Sequence, residues 1–483
     1  MRNEVLLFLA VAIPTIGAFS LPIASAISKK LRNALAVIFI LSALVCSLGL
    51  VPSAMAGETT TLSYDLPLGF NFTLKADGLA VFMAIVSSLI STIIAIYSTG
   101  YIAHYEYQDE YYLMVVLFLG SMMGLVFASN LILLYVFWEI TAIASWRLIG
   151  FFREKNYVVR ADKAFLVTAF GALSMLLGFL CVYGQTGTFD MSAIKASMTG
   201  PLGGLAVALI LLGILSKSAT LPLHTWLPDA GVAPSPVTAL LHAAVLVKIG
   251  VYVYARLFLV TFSLSPFWQE TVLIIAAASA LVSAGAALID TDMKRIIAYS
   301  TVSQIAFIFL GLASGNELGI AGALLYILMH GIAKGGLFLC AGVVEHGTHT
   351  KDITQMGGLI RVMPVTAVSF LLCAASVMGV PPFGGFFSKL MVVSGAVQAD
   401  HVWIASVFVF GAILTILYLF RVFNSIFLGE TGLASRHATH EGTPVMVASV
   451  AVLAAMALVS GLVISPSSNF AKAAVEQMLG IVK

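Results

Sequence analysis

Of the chain's 483 residues, 60% are hydrophobic and only 10% are charged, with a formal net charge of +2. A soluble globular chain carries about 25% charged residues, so no water-soluble core accounts for this composition, and the lack of a basic block excludes a nucleic-acid partner. Cys46, Cys181, Cys340 and Cys373 lie far apart in apolar runs; with no Cys-x-x-Cys, no Walker loop and no Gly-x-Gly-x-x-Gly, there is no recognisable nucleotide, iron–sulfur or haem motif, and no cofactor is expected in this chain.

The first apolar run, 4–27, is too long for the core of a signal peptide and is followed by Lys29, Lys30 and Arg32, so it reads as a membrane helix. Further runs follow at 33–55, 78–99, 111–128, 130–152, 163–184, 203–224, 236–258, 271–290, 294–313, 319–342, 364–399, 402–428 and 444–464. An α-helix needs about 20 apolar residues to cross roughly 30 Å of hydrocarbon. Alternating barrel strands are absent, so helices are the spanning structure left. The pattern predicts an all-α polytopic membrane protein of about fourteen transmembrane helices with no soluble domain. The segment after Ser465 is weakly amphipathic and is expected at the membrane surface.

Charge sets the expected orientation. The loops after the first, fifth, ninth, eleventh and thirteenth spans hold thirteen basic residues, among them Lys29, Arg153, Lys294 and Lys351. The opposite face holds six, including Arg2, Lys75, Lys195 and Arg256. By the positive-inside rule the first face is cytoplasmic and both termini lie outside.

Five basic residues remain, and they fall inside apolar runs: Arg147, Lys217, Lys248, Lys334 and Lys389, joined by Glu139. Two of the runs look interrupted beside a Ser-Lys pair. The seventh carries Pro222 five residues after Lys217, and the twelfth carries Pro381, Pro382, Gly384 and Gly385 just before Lys389. Proline removes a helix hydrogen bond and clashes with the preceding turn, so both spans are expected to be discontinuous. One span later both halves end alike, Tyr-Ala-Arg-Leu-Phe at 254–258 and Leu-Phe-Arg-Val-Phe at 419–423. This predicts N-terminal helices over 1–110, a five-helix repeat over 111–258, an inverted five-helix repeat over 271–428, and a last helix with a short tail over 444–483. Paired discontinuous helices in inverted repeats mark ion sites in transporters.

A charge at the bilayer centre costs about 2.5–3.5 kcal/mol on insertion scales, so each of these groups must face protein or water and find a partner. Glu139 is either half of a helix–helix salt bridge or a carboxylate whose charge is coupled to a lysine; at ~4 Å and an effective dielectric of ~20 such a pair is worth ~4 kcal/mol. Lys217 either switches charge with its distance from Glu139 or simply caps carbonyls freed at the break. Lys248 follows His242 by six residues, a spacing that does not share a regular helix face, so the two read as successive stations. His330 and Lys334 stand at i and i+4 on one face and suit alternating occupancy by a proton; the bland reading is a histidine donating to a neighbouring carbonyl. Lys389 closes the series. Arginine stays charged, so Arg147, near the end of its span, is expected to tune the field or to pair with Asp162 rather than to carry a proton. The pairs His346/His349 and His437/His440 would need further ligands to hold a metal, and no metal site is assigned.

The segments FWEITAIASWRLIGF at 137–151, KSATLPLHTWLPDA at 217–230, LLHAAVLVKIGVYVYAR at 240–256, DTDMKRIIAYSTVSQIAF at 290–307, LMHGIAKGGLFLCAG at 328–342 and MGVPPFGGFFSKL at 378–390 together make the chain similar to the antiporter-like subunits of respiratory complex I, Mrp-type sodium/proton antiporters and membrane-bound NiFe hydrogenases. The resemblance covers about 75–430. It implies fourteen core helices in inverted repeats, a glutamate–lysine pair carried onto Glu139 and Lys217, a central relay carried onto Lys248 with His242 and onto His330 with Lys334, and an exit residue carried onto Lys389. A lysine at that last position resembles the Mrp D-type and hydrogenase H-type subunits, and no long lateral helix like that of the largest complex I subunit is expected. Arg147 departs from the pattern, where an uncharged residue is usual. The implied function is translocation of protons or sodium by a subunit of a multi-subunit redox complex, with other membrane subunits and a peripheral module bearing iron–sulfur, NiFe or flavin centres as partners. The alternative is a subunit of a stand-alone Mrp-type antiporter.

Overall fold

The computed structural model describes residues 2–65, 71–198, 200–438 and 440–481. Twelve helices among them are long and apolar enough to cross a membrane, and the apolar helices Gly204–Lys217 and Pro364–Met378 are shorter. In chain order they are α1 (Arg2–Ile27), α2 (Lys29–Met55), α3 (Gly78–His104), α4 (Gln108–Phe127), α5 (Leu131–Ile149), α6 (Lys155–Thr186), α7 (Gly204–Lys217), α8 (Ser235–Thr261), α9 (Pro266–Ile289), α10 (Met293–Ala313), α11 (Glu317–Thr348), α12 (Pro364–Met378), α13 (Gly384–Gln398), α14 (Val402–Phe427) and α15 (Pro444–Leu462), with a final α16 (Ser465–Leu479). The protein is an integral, all-α polytopic membrane protein. One antiparallel hairpin, β1 (Thr60–Asp65) and β2 (Asn71–Ala76), lies between α2 and α3 and had no counterpart in the hydropathy pattern.

Helix starts follow from their caps. Asp77, Asn130, Asp292 and Asn316 each accept backbone N–H groups of the first turn of α3, α5, α10 and α11, satisfying donors that have no intrahelical partner. Two of these caps also pair with a segment 60 residues later: Asn130 forms an antiparallel bridge with Asp190 after α6, and Asp292 forms one with Asp352 after α11.

Both interrupted spans break at proline. α7 ends at Lys217, and the chain runs irregularly past Pro222 before the short turn Trp226–Asp229. α12 ends at Met378, where Gly379 takes the left-handed conformation (φ 81°) that only glycine adopts without strain; α13 resumes at Gly384 after Pro381 and Pro382. Lys217 therefore closes the first half of its span, whereas Lys389 lies in the second half of its own. The irregular segment after α7 is pinned by Trp226, whose indole N–H donates to the Ser216 carbonyl at 2.9 Å, and by the Leu221 amide on Ser279 at 3.1 Å.

α11 is the centre of the bundle. It packs against α3, α8, α10, α12, α13, α15 and α16, and 94% of its most apolar window is buried against 33% for α1 and α2, which turn apolar side chains such as Ile16, Ile23 and Ile38 outward. Hydrocarbon outside is as apolar as leucine, so van der Waals packing and polar contacts, rather than water exclusion, hold such helices together. α16 buries Ala471, Ala474, Val475 and Met478, and Gln477 accepts from the first amide of α3 at 2.6 Å while donating to the Gly57 carbonyl at 2.9 Å.

The face of the bundle that carries Arg153 and Lys351 is laced by ion pairs. Asp229, just past the α7 break, accepts from Lys163 and Arg295 at 2.7 Å each, and Arg295 also donates to Asp290 at 2.9 Å. Burial alone would raise the Asp229 carboxyl, but the hydrogen bonds from Lys163 and Arg295 outweigh it and hold it below the ordinary carboxylate value. A depressed carboxyl contributes stability above its unfolded value, about 3.9, and loses it as pH falls through the folded value. The thermal unfolding midpoint of detergent-solubilised protein is therefore expected to exceed that of Asp229→Asn at pH 6, and the gap to close below about pH 4.

Candidate functional site

Lys217 is fully buried. Its ammonium donates to the Trp138 carbonyl at 3.2 Å and stands 5.1 Å above the Trp138 ring, a cation–π arrangement. The same carbonyl accepts from Thr141 at 2.6 Å. Glu139, the next residue, acts electrostatically on Lys217, but among the described residues no ion pair closes between them. The structure thus brings the two together with the carboxylate one residue beyond the contact the lysine makes.

Arg147 pairs with Glu110 in the first turn of α4, at 2.6 Å through Nε, and Arg153 shares that carboxylate at 2.6 Å. The expected partner, Asp162, instead accepts from the Trp146 indole at 2.8 Å. Successive helix residues point about 100° apart, so Trp146 takes the α6 side of α5 and Arg147 takes the α4 side.

The central stations lie along a seam between α8 and α11, which run antiparallel. The His242 ring packs on Phe338 at 4.5 Å between centroids. Lys248 Nζ lies against Gly331, 2.7 Å from where a β-carbon would stand. Phe338 and Gly331 are seven residues apart, two turns or about 10 Å along α11. The six-residue spacing in α8 does not follow regular helix geometry, because Leu240–Ala244 is a π-helical turn and Val245 leaves helical dihedrals. Such turns aim side chains that a 3.6-residue period would place elsewhere. Among the described residues, both ring nitrogens of His242 and His330 and the Lys248 ammonium have no hydrogen-bond partner. Ser87 and Ser91 of α3, likewise without partners, flank Ile90, which packs on Gly331 and Gly335. His330 is in electrostatic reach of Lys248, Lys334, His242 and Lys389.

From His330 onward the site is hydrogen-bonded. Lys334, on the same face one turn later, donates to the Ile297 carbonyl at 3.0 Å and to Ser300 at 2.6 Å. Tyr418 donates to Ser300 at 2.8 Å, Gln304 reaches Thr415 at 3.2 Å, and Tyr326 donates to Gln304 at 2.5 Å. Lys389 stands 5.5 Å from the Tyr326 ring and 4.5 Å from that of Phe307, and donates to the Val377 carbonyl at 2.7 Å, in the last turn before the α12 break. Ser300, Gln304, Tyr326, Thr415 and Tyr418 therefore link Lys334 to the surroundings of Lys389. Ser300 and Gln304 lie in the segment 290–307, but an uncharged polar residue in an apolar run gives little signal on its own.

Two buried ion pairs also escaped the sequence. Arg256 and Asp77 form a two-pronged contact at 2.5 and 2.7 Å, with Arg256 also donating to Tyr252 at 2.9 Å. Lys294, 1% exposed, donates to Glu345 and to the Ala233 carbonyl, both at 2.9 Å. Each lies at the end of a span, where a charge is ordinary. His346 packs beside His104, 6.4 Å between centroids, and no group of three metal-ligating side chains occurs among the described residues; the His437 side chain lies outside them.

Residues 128–415 match the family described as NADH:quinone oxidoreductase/Mrp antiporter, TM, and residues 66–112 match NADH-Ubiquinone oxidoreductase (complex I), chain 5 N-terminus. The chain is 34% identical to the A1 subunit of the Na(+)/H(+) antiporter of Staphylococcus haemolyticus, over 95% of this chain and 61% of that one. It is 36% identical to the A-type subunit of the Na(+)/H(+) antiporter of Alkalihalophilus pseudofirmus, over 83% and 54%. It thus spans about three-fifths of the length of the curated relatives it matches. Among solved structures, a chain of the Mrp complex from Dietzia sp. DQ12-45-1b superposes with a TM-score of 0.90 at 23% identity, covering 100% of this chain and 98% of that one. A chain of the membrane-bound sulfane sulfur reductase, an archaeal respiratory membrane complex, gives 0.89 at 25%, covering 99% and 98%.

Gly331→Ala would set a methyl group against Lys248 and Ile90. Overpacking of this kind costs about 1–3 kcal/mol, so the thermal unfolding midpoint of the detergent-solubilised variant is expected to lie several degrees below that of the unchanged protein. Tyr418→Phe, which removes one hydroxyl of the Lys334–Lys389 link, is expected to lower it less.

Proposed function

Because the chain belongs to the NADH:quinone oxidoreductase/Mrp antiporter membrane family, we propose that it is a proton- or sodium-translocating antiporter-like subunit of a multi-subunit membrane complex, moving ions through Glu139, Lys217, Lys248, His330 and Lys389 in that order, with His242 and Lys334 as supporting stations. The observation that carries this reading is the seam of α8 and α11. It sets His242 and Lys248 of α8 against positions two turns apart on α11, the helix at the centre of the bundle that itself carries His330 and Lys334, where a merely structural charge would be costly.

The mechanism is a change of charge partner. With Lys217 on the Trp138 carbonyl the Glu139–Lys217 pair is open. Closing it favours the lysine cation, and opening it drives the proton on towards Lys248, since a nearby opposite charge stabilises the ammonium and burial alone does not. Coupling free energies of this kind are typically about 1–3 kcal/mol. Arg147, held by Glu110 at one end of α5, contributes a fixed field to the same helix. We read residues 111–258 and 271–428 as inverted repeats; the two bridges with equal spacing, Asn130–Asp190 and Asp292–Asp352, support that equivalence. The face rich in basic residues is taken as cytoplasmic, with both termini outside.

Two readings of the driving force follow. In one, a peripheral redox module with iron–sulfur, NiFe or flavin centres drives the subunit, and electron transfer takes place on other chains; the likeness to a chain of a respiratory membrane complex supports it. In the other, the subunit belongs to a stand-alone Na+/H+ antiporter, which the names of the relatives at 34% and 36% identity favour. Purifying the native complex and identifying its subunits decides between them: redox proteins in stoichiometric amounts establish the first, and small membrane subunits alone establish the second.

Replacing Lys217 or Lys389 by alanine is expected to abolish ion movement in reconstituted vesicles while the complex still assembles. Transport at the normal rate by either variant would sink the relay.

A further inference from the structure

The α8–α11 seam does not end at His242. Its register runs Lys248 against Gly331 and His242 against Phe338. One further step of seven residues on each helix brings Ser235 against Glu345, where the serine hydroxyl donates to Oε2 at 3.1 Å. Between these rungs Gly342 leaves room for two hydroxyl-bearing side chains. A β-carbon there would stand 2.5 Å from the Tyr97 hydroxyl and 3.1 Å from that of Ser235. Tyr97 in turn donates to the Leu339 carbonyl at 3.0 Å, next to the Phe338 that His242 covers.

Glu345 is also reached from water. It forms part of the floor of a vestibule of about 240 Å³ on the face that carries Lys351, lined by Phe152, Glu154, Tyr157, His349 and Lys351. Its side chain is 24% exposed, while the side chain of its partner Lys294 is 2% exposed. One oxygen thus holds a buried ammonium and a seam hydroxyl, in a residue that still meets the vestibule. The other titratable groups facing it are Tyr97, Tyr101 and Tyr105 from the α3 side and His346 on its own helix.

We propose that Glu345 is an entry acceptor for the central stations of the relay, while the Glu139–Lys217 pair remains the charge switch: it takes protons from the vestibule and passes them along the seam, past Ser235 and Tyr97, to His242 and Lys248. The Glu345 carboxylate binds a proton from vestibule water. Each hydroxyl then accepts one proton as it releases another, and the neutral His242 imidazole receives it. Lys294 is a positioning residue that keeps the carboxylate turned to the seam. The inference rests on the relay reading, and the test separates the two.

Proton movement is followed with a pH-sensitive dye in vesicles containing the native complex, for wild type, Glu345→Gln, Glu345→Asp, Ser235→Ala, Gly342→Ala and Lys217→Ala. Glu345→Gln is expected to slow transport at least about ten-fold, since a positioned acid–base group contributes that much or more. It should also make the rate rise as the vestibule side is acidified, and Glu345→Asp should restore most of the rate. Gly342→Ala and Ser235→Ala, which leave the Lys294 pair in place, are expected to slow transport too, and they carry the test if Glu345→Gln fails to assemble. Wild-type rates in Glu345→Gln or, should that variant not assemble, in both seam variants, beside an inactive Lys217→Ala, overturn the entry role and leave the relay standing. Wild-type rates in Lys217→Ala as well overturn both.

Discussion

A lysine ammonium carries three N–H donors, and hydrocarbon offers no atom to accept them. That constraint shapes the interior of this protein. Lys217, Lys334 and Lys389 each donate to a backbone carbonyl: Trp138, Ile297 and Val377. Only the last lies at a helix break. The other two belong to intact helices, and each of those carbonyls also accepts from a threonine hydroxyl, Thr141 or Thr301. A carbonyl oxygen has two lone pairs, which here the lysine ammonium and the threonine hydroxyl share with the helix. These three lysines are thus met by oxygen dipoles rather than by carboxylates, unlike Arg256 and Lys294 at the span ends, which pair with Asp77 and Glu345.

The positions of the breaks and of the buried lysines were legible because both violate a strong expectation: proline in a helix and charge in an apolar run each cost several kcal/mol. Ser300, Gln304, Tyr326 and Tyr418 violate nothing, since an uncharged polar side chain in a membrane helix is ordinary, and only packing shows that they join. Asp77 with Arg256 and Lys294 with Glu345 were hidden for another reason. Hydropathy sees a charge near a span end as solvated, whereas Arg256 and Lys294 are 5% and 1% exposed. The aim of His242 was out of reach because a π-helical turn leaves no mark on a 3.6-residue period. Arg147 was expected to tune the field or to pair with Asp162; it reaches Glu110 instead, because the neighbouring Trp146 takes the side of the helix that faces Asp162.

Small residues do for α11 what breaks do for the interrupted spans. Gly331 admits the Lys248 ammonium, Gly342 admits the hydroxyls of Tyr97 and Ser235, and Gly336 brings Cys373 of α12 close to the α11 backbone. A helix stripped of side chains on the faces it shares lets neighbouring helices place functional groups directly on its axis. This costs α11 helix propensity, about 1 kcal/mol per glycine relative to alanine, which burial against seven other helices offsets.

His330 stands within electrostatic reach of Lys248, Lys334, His242 and Lys389, all of them bases, and among the described residues none of them forms an ion pair with a carboxylate. Like charges at such range repel, so the row cannot be filled; each proton resident on one base lowers the occupancy of the next. In the relay proposed above, such a row would work as a queue with gaps. What advances would be as much the empty place moving one way as the proton moving the other, at a rate set by how quickly a gap opens at the far end.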